Sequence, residues 1–250
     1  MLKNFCSAVL RLFFNYLNSG YECVVCGKRT YIFPVCKGCT NEHFNVTERM
    51  LVKRCRICGK ELFSCNEVCL QCRENAILKH VDFALSLFSY RLWNRELMFM
   101  WKSSGIRALS DFFAKSLAEA LLKMDVCVIV PVPPRPGKIK EKGWDQIDEL
   151  TSILKYRYGF KVFDVLERKT TGEQKKLDRN ERLDTIGKSY FLKDEKLLKK
   201  TLKKFNDIIP ERVCVLDDVC TTGSTLESCA ALLKSMNVKE VHALTLFTVD

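Results

Sequence analysis

Val213-Cys214-Val215-Leu216-Asp217-Asp218-Val219-Cys220-Thr221-Thr222-Gly223-Ser224-Thr225 is the stretch whose reading decides the fold. Val213–Leu216 has the composition of a buried strand, and helical spacing resumes over Thr225–Met236, so two acids and a hydroxyl-rich turn join a strand to a helix. The first amides of a helix have no intrahelical acceptor, and the helix dipole adds positive potential there, which suits a monophosphate. Gly223 allows close backbone approach, and the hydroxyls of Thr221, Thr222, Ser224 and Thr225 can donate to phosphate oxygens. Asp217 and Asp218 end the strand, where open α/β sheets bind ligands, and are placed to accept hydrogen bonds from ribose hydroxyls. The plain alternative is a strand–turn–helix capped by Asp and Thr with no ligand. The combination of acids, glycine and four hydroxyls favours a sugar-phosphate clamp.

Working outward, Val126–Val132 reads as a second buried strand, closed by Pro131, Pro133, Pro134 and Pro136. Trp101–Met124 is expected to be one helix, with Leu109, Phe112, Phe113, Leu117, Ala120 and Leu121 on one face, and Trp144–Leu154 is expected to be another. Lys161–Leu166 reads as a short strand and Val241–Phe247 as the last one. Strands alternating with helices predict an α/β fold with a parallel sheet flanked by helices on both faces. Glu167–Lys188 is polar and reads as a long loop or lid. The lysine-rich run Asp194–Lys204 is either a solvated helix or linker, or a contact for phosphate backbones.

Of the 14 cysteines, nine fall between Cys23 and Cys72, and eight of these form CxxC pairs. Cys23-x-x-Cys26 is followed by Cys36-x-x-Cys39, and Cys55-x-x-Cys58 by Cys69-x-x-Cys72; Gly27 and Gly59 follow the opening pairs. Two residues between thiols let a tight turn aim both sulfurs at one metal. Eight thiolates therefore fit one or two structural tetrahedral Cys₄ zinc sites, paired sequentially or interleaved, with Cys65 unassigned. Such a cysteine pattern, joined to a cysteine-sparse α/β segment, points to metal rather than disulfides and to a reducing, cytoplasmic setting.

The chain has 250 residues and a formal charge of +11, a balance that attracts phosphates without saying which ones. It lacks an apolar run of about 18 residues, so no membrane span is expected. Met1–Leu17 resembles a signal peptide in apolar content, but Arg11 interrupts the run and Asn15 and Asn18 stand where small residues would be needed. Leu2, Phe5, Val9, Leu12, Phe13 and Tyr16 instead predict an amphipathic helix. The expected organisation is that helix over 1–20, a zinc-binding cysteine module over 21–77, with Leu78–Trp101 as the join, and the α/β domain over 78–250.

At Asp217–Thr225 the chain resembles the type I phosphoribosyltransferases, with Cys220 where that family usually has an aliphatic residue. The cysteine pairs, Pro131-Val132-Pro133, Lys142-Gly143-Trp144-Asp145-Gln146, and then Gln174, Leu177 and Arg182 are similar to the ComF family. These are phosphoribosyltransferase-like proteins associated with DNA uptake in natural transformation. The similarity spans about Cys23 to Phe247. Two departures stand out: the family's usual Arg-Gly-Phe-Asn-Gln keeps only Gly143 and Gln146, and an Asn expected three residues after Arg182 is Thr185.

The resemblance implies a phosphoribosyl pyrophosphate ligand carried with Mg²⁺. It places Arg135, Lys138 and Lys142 near the pyrophosphate, and Arg168 through Arg182 in a lid. It also implies single-stranded DNA and a competence helicase as partners. Two other readings stand beside it. One is a transferase making a nucleotide from a base or amine, though Thr221 stands where purine-salvage relatives often have an acid and cannot act as a base at neutral pH. The other is a non-catalytic regulator that senses the phosphoribosyl group. No residue is assigned a catalytic role.

Overall fold

The structure is a computed structural model that describes residues 21–31, 33–62, 66–169 and 189–249. The expected N-terminal helix, Cys65, and lid residues Gln174, Leu177, Arg182 and Thr185 lie outside the described residues.

The cysteine-rich segment opens with a two-stranded antiparallel ribbon, β1 (Tyr21–Glu22) and β2 (Arg29–Thr30), and continues through short helices α1 (Lys37–His43), α2 (Val46–Leu51) and α3 (Leu70–Glu74). Next comes β3 (Phe83–Ser89), in a segment expected to be only a join. Its run Phe83-Ala84-Leu85-Ser86-Leu87-Phe88 is apolar without a strict alternation, because Ala84 packs into one core and Leu85, Leu87 and Phe88 into the other. Helices α4 (Trp93–Lys102) and α5 (Ala108–Lys123) replace the single helix expected over Trp101–Met124. Gly105, at φ +68°, breaks the chain between them. Trp101 is fully buried and donates through Nε1 to Ser110 Oγ at 2.8 Å, which fixes the angle of the break. The predicted apolar face of α5 is buried throughout.

The main sheet has five parallel strands in the order β3-β9-β8-β4-β5. Its other members are β4 (Val128–Pro131), β5 (Lys161–Val162), β8 (Arg212–Cys220) and β9 (Glu240–Thr248). Between β4 and β5 run the short α6 (Lys138–Lys142) and α7 (Gln146–Tyr158). The expected strand Lys161–Leu166 divides: Lys161–Val162 joins the sheet, and the chain then leaves it for a separate antiparallel pair, β6 (Leu166–Arg168) with β7 (Tyr190–Leu192). Then come α8 (Glu195–Lys203) and, between β8 and β9, α9 (Ser224–Ser235).

Side chains alternate across β8. Cys214 and Leu216 face the core shared with α5 and α7, while Val213 and Val215 face the core shared with α9. Helices therefore cover both faces, as the alternation of elements predicted. The cysteine segment straddles the β3 edge. Cys23 and Cys39 join the first core; Ile57 and Cys58 pack on the second. Arg54 Nη1 donates to the Gly59 and Ser86 carbonyls at 2.9 and 2.8 Å, occupying a carbonyl of the edge strand that would otherwise be open to another chain.

Candidate functional site

All five strands run the same way, so the C-terminal ends of β4 and β8 open side by side. There a cleft of about 310 Å³ is lined by Lys102, Arg135, Lys138, Arg168, Asp217 and Asp218, among others. A larger groove of about 660 Å³ lies against α5, with Phe33, Val35, Phe44 and Phe112 in its wall. Chemistry, not size, selects the first.

Asp217 keeps some solvent contact, but protein surrounds most of it. Burial first, and then the neighbouring Asp218 charge, push its carboxyl up to about 7, against the pull of the Asp218 amide and Lys102. The Asp218 N–H donates to Asp217 Oδ1 at 2.8 Å. Lys102 Nζ lies 2.6 Å from Asp218 Oδ2. Sequence reasoning missed Lys102, which sits at the end of α4, more than a hundred residues upstream of the acids.

Beyond the acids, Gly223 stands just before α9 at φ +87° and is buried, while Thr221, Thr222 and Ser224 are exposed. Thr222 Oγ1 accepts from the Ser224 N–H at 3.3 Å and lies 2.9 Å from Ser224 Oγ. A threonine oxygen thus sits on a helix-terminal amide, the place a phosphate oxygen would take. Thr225 lines the cleft itself. The hydroxyls of the turn are thus exposed, while the Ser224 amide is met by the Thr222 side chain, and Thr221 and Thr222 do not line the cleft.

On the facing wall, Asp145 caps α7, with Oδ1 accepting from the Ile147 and Asp148 amides at 2.9 and 3.0 Å. Lys138 Nζ lies 2.5 Å from Asp145 Oδ2 and 2.6 Å from Gln146 Oε1. This accounts for Asp145 where the ComF pattern has Asn: a carboxylate caps the helix as an amide would, and Lys138 offsets the added charge. Arg135 pairs with Glu141 at the mouth. Lys142, by contrast, is exposed at the end of α6 and does not line the cleft. The Arg168 guanidinium lies 5.3 Å from the centre of the Tyr190 ring, and both residues line the cleft. The cleft thus brings together residues from five separate parts of the chain.

The cysteines resolve into sequential quartets, Cys23-Cys26-Cys36-Cys39 and Cys55-Cys58-Cys69-Cys72, each with all sulfurs within 4.8 Å of one another. Zn–S bonds of about 2.3 Å in a tetrahedron separate sulfurs by about 3.8 Å. Cys26 and Cys36 Sγ lie 3.6 Å apart and Cys58 and Cys69 Sγ 3.7 Å apart, so both quartets fit the ion. Gly27 and Gly59 take positive φ, as knuckles require. The Cys36 and Cys69 amides donate to Cys23 and Cys55 Sγ, both at 3.3 Å. Burial opposes ionisation of these two thiols, but backbone N–H donors outweigh it, bringing Cys23 to about 6 and Cys55 to about 7. Burial, then neighbouring thiols, push Cys39 and Cys58 up. Four such thiols can ionise together only around a cation.

The five-stranded parallel sheet with its flanking helices is phosphoribosyltransferase-like. A family model described as the phosphoribosyl transferase domain matches residues 148–250, which include the acidic pair and the turn. The chain is 26% identical over 201 residues to Competence protein ComFC of Streptococcus pneumoniae, covering 80% of this chain and 82% of that one. It is 24% identical over 245 residues to Competence protein F of Haemophilus influenzae, covering 91% and 96%. The resemblance to the ComF family, read from the motifs, is borne out. No helix among the described residues is long and apolar enough to cross a membrane.

Proposed function

We propose that the cleft binds phosphoribosyl pyrophosphate and that the protein acts in the cytoplasm in support of DNA uptake. The observation that carries the ligand is the juxtaposition in one cleft of an acidic pair, Thr225 from the first turn of α9 and a wall of Lys102, Arg135, Lys138 and Arg168. Its volume lies within the usual range for small-molecule sites, about 300–1,000 Å³. In this reading Thr222 to Thr225 hold the 5-phosphate, Asp217 and Asp218 take the ribose hydroxyls, and the basic side chains face the pyrophosphate. Apart from the cysteine quartets, no group of three or more His, Cys, Asp or Glu among the described residues is close enough to hold an ion. Mg²⁺, which proteins usually hold through one or two carboxylates plus substrate phosphates, would travel on the diphosphate. The role in DNA uptake is supported by the competence relatives and by a basic chain that favours single-stranded DNA at low salt. A competence helicase as partner rests on the family resemblance.

A second reading, transfer of the phosphoribosyl group to a base or amine, is favoured by the domain match itself. Thermal shift with phosphoribosyl pyrophosphate, with and without Mg²⁺, tests the binding. A midpoint gain that disappears in the Asp217→Ala, Asp218→Ala double variant is expected; no gain in the unaltered chain sinks the reading. Pyrophosphate release across candidate acceptors then separates a transferase from a protein that only binds.

A further inference from the structure

The two cysteine quartets touch different parts of the molecule. The first packs with α5, and none of its cysteines lines the cleft. The second abuts the phosphate turn. Ile57 and Cys58 pack against the same apolar cluster as Cys220 and Leu226. A cavity of only about 20 Å³ is lined by Cys58, Cys72 and Lys60 together with Cys220, Thr221 and Thr222.

The segment 75–80, which leads out of the second quartet, is tied to the first turn of α9. A Cβ on Gly223 would lie 3.1 Å from Leu78 Cδ2, so Leu78 roofs the glycine of the turn. The Lys79 and His80 amides donate to Glu227 Oε2 at 2.8 and 3.0 Å, and His80 Nδ1 lies 2.6 Å from Glu227 Oε1. The Glu227 amide in turn donates to the Gly223 carbonyl at 2.9 Å. On its other side the quartet is pinned to β3: a Cβ on Gly59 would lie 2.0 Å from the Ala84 carbonyl oxygen, and Arg54 bridges the Gly59 and Ser86 carbonyls. With β3 as a fixed back wall, displacement of the second quartet must pull on the turn.

We propose that Leu78, His80 and Glu227 are positioning residues that couple the second cysteine site to the phosphate turn. Metal held by Cys55, Cys58, Cys69 and Cys72 and a phosphoribosyl ligand on the turn then strengthen each other's binding. This rests on the ligand reading above. The physical basis is that both require the same ordering of segment 75–80 against α9, so whichever binds first lowers the ordering cost for the other, and the effect is reciprocal.

The test uses the full chain loaded with zinc, and follows zinc release to a chromogenic chelator with and without phosphoribosyl pyrophosphate and Mg²⁺. The ligand should slow release of one of two zinc ions roughly tenfold and leave the other unaffected. Glu227→Ala should keep both ions yet abolish the slowing, with Leu78→Ala as an independent second variant and Glu227→Gln restoring part of it. If the unaltered chain binds no phosphoribosyl pyrophosphate in calorimetry, the ligand reading falls and this inference with it. If the ligand binds but slows neither ion or both alike, or slows release equally in Glu227→Ala, only the coupling is overturned.

Discussion

Lys102 at the end of α4 and Asp218 at the end of β8 form an ion pair, Nζ to Oδ2 at 2.6 Å, across the mouth of the cleft. The pair places a cation beside two adjacent acids, one of which, Asp217, is largely enclosed by protein. The proposed phosphoribosyl ligand has to meet this balance of charge.

Lys102→Met leaves both acids without their nearest cation. The pair should then hold a proton to higher pH, and the pH at which phosphoribosyl pyrophosphate binds best should move upward. Affinity at pH 7 should fall about tenfold or more. Calorimetry between pH 6 and 8.5 reads both effects; an unchanged pH profile contradicts the assigned role.

Asp217 itself carries a sign that can be checked. Its folded-state carboxyl titrates at about 7, above an unfolded value of about 3.9. Stability from this group is therefore complete below about pH 4 and is lost as pH rises through 7. Asp217→Asn should raise the melting midpoint by a few degrees at pH 8 and leave it unchanged near pH 4. In the unaltered chain, a ligand that needs the carboxylate should bind about tenfold more weakly per pH unit below 7. Melting curves and titrations at matched pH decide both.

Gly223→Ala places a Cβ at φ +87° and 3.1 Å from Leu78 Cδ2. Backbone strain should cost about 1–2 kcal/mol. The larger loss should be in ligand affinity, because relief of the strain reshapes the turn. Denaturant titration and thermal shift with ligand separate the two.

Removing metal should affect the whole protein, not only its N-terminal segment, because Cys23, Cys39 and Cys58 contribute to the cores on the two faces of the sheet. Structural zinc contributes on the order of 10 kcal/mol at such sites. Chelation under reducing conditions should release two zinc ions per chain and lower the midpoint of the sheet's unfolding transition. Elemental analysis and circular dichroism report these together; a transition unaffected by chelation contradicts the shared cores.

What could be read from the residues in order was whatever local chemistry imposes. Val213–Thr225 announced a strand, an acidic exit and a glycine-led helix start, because short-range polarity and glycine placement determine such a turn. The CxxC spacing announced metal, because two thiols three positions apart can share an ion, yet it left the quartets' pairing open until their sulfurs were seen within 4.8 Å. Strand β3 escaped notice because a strand buried on both faces lacks the alternation that marks one buried on a single face. Lys102 beside Asp218, the Lys138–Asp145 pair and the Glu227 tie to residues 79 and 80 were decided only by tertiary structure. The first and last join residues more than a hundred positions apart, and the middle one, though close in sequence, depends on the turn of α6 into α7. Parallel strands joined by long crossovers bring together loop ends that no short window of sequence contains.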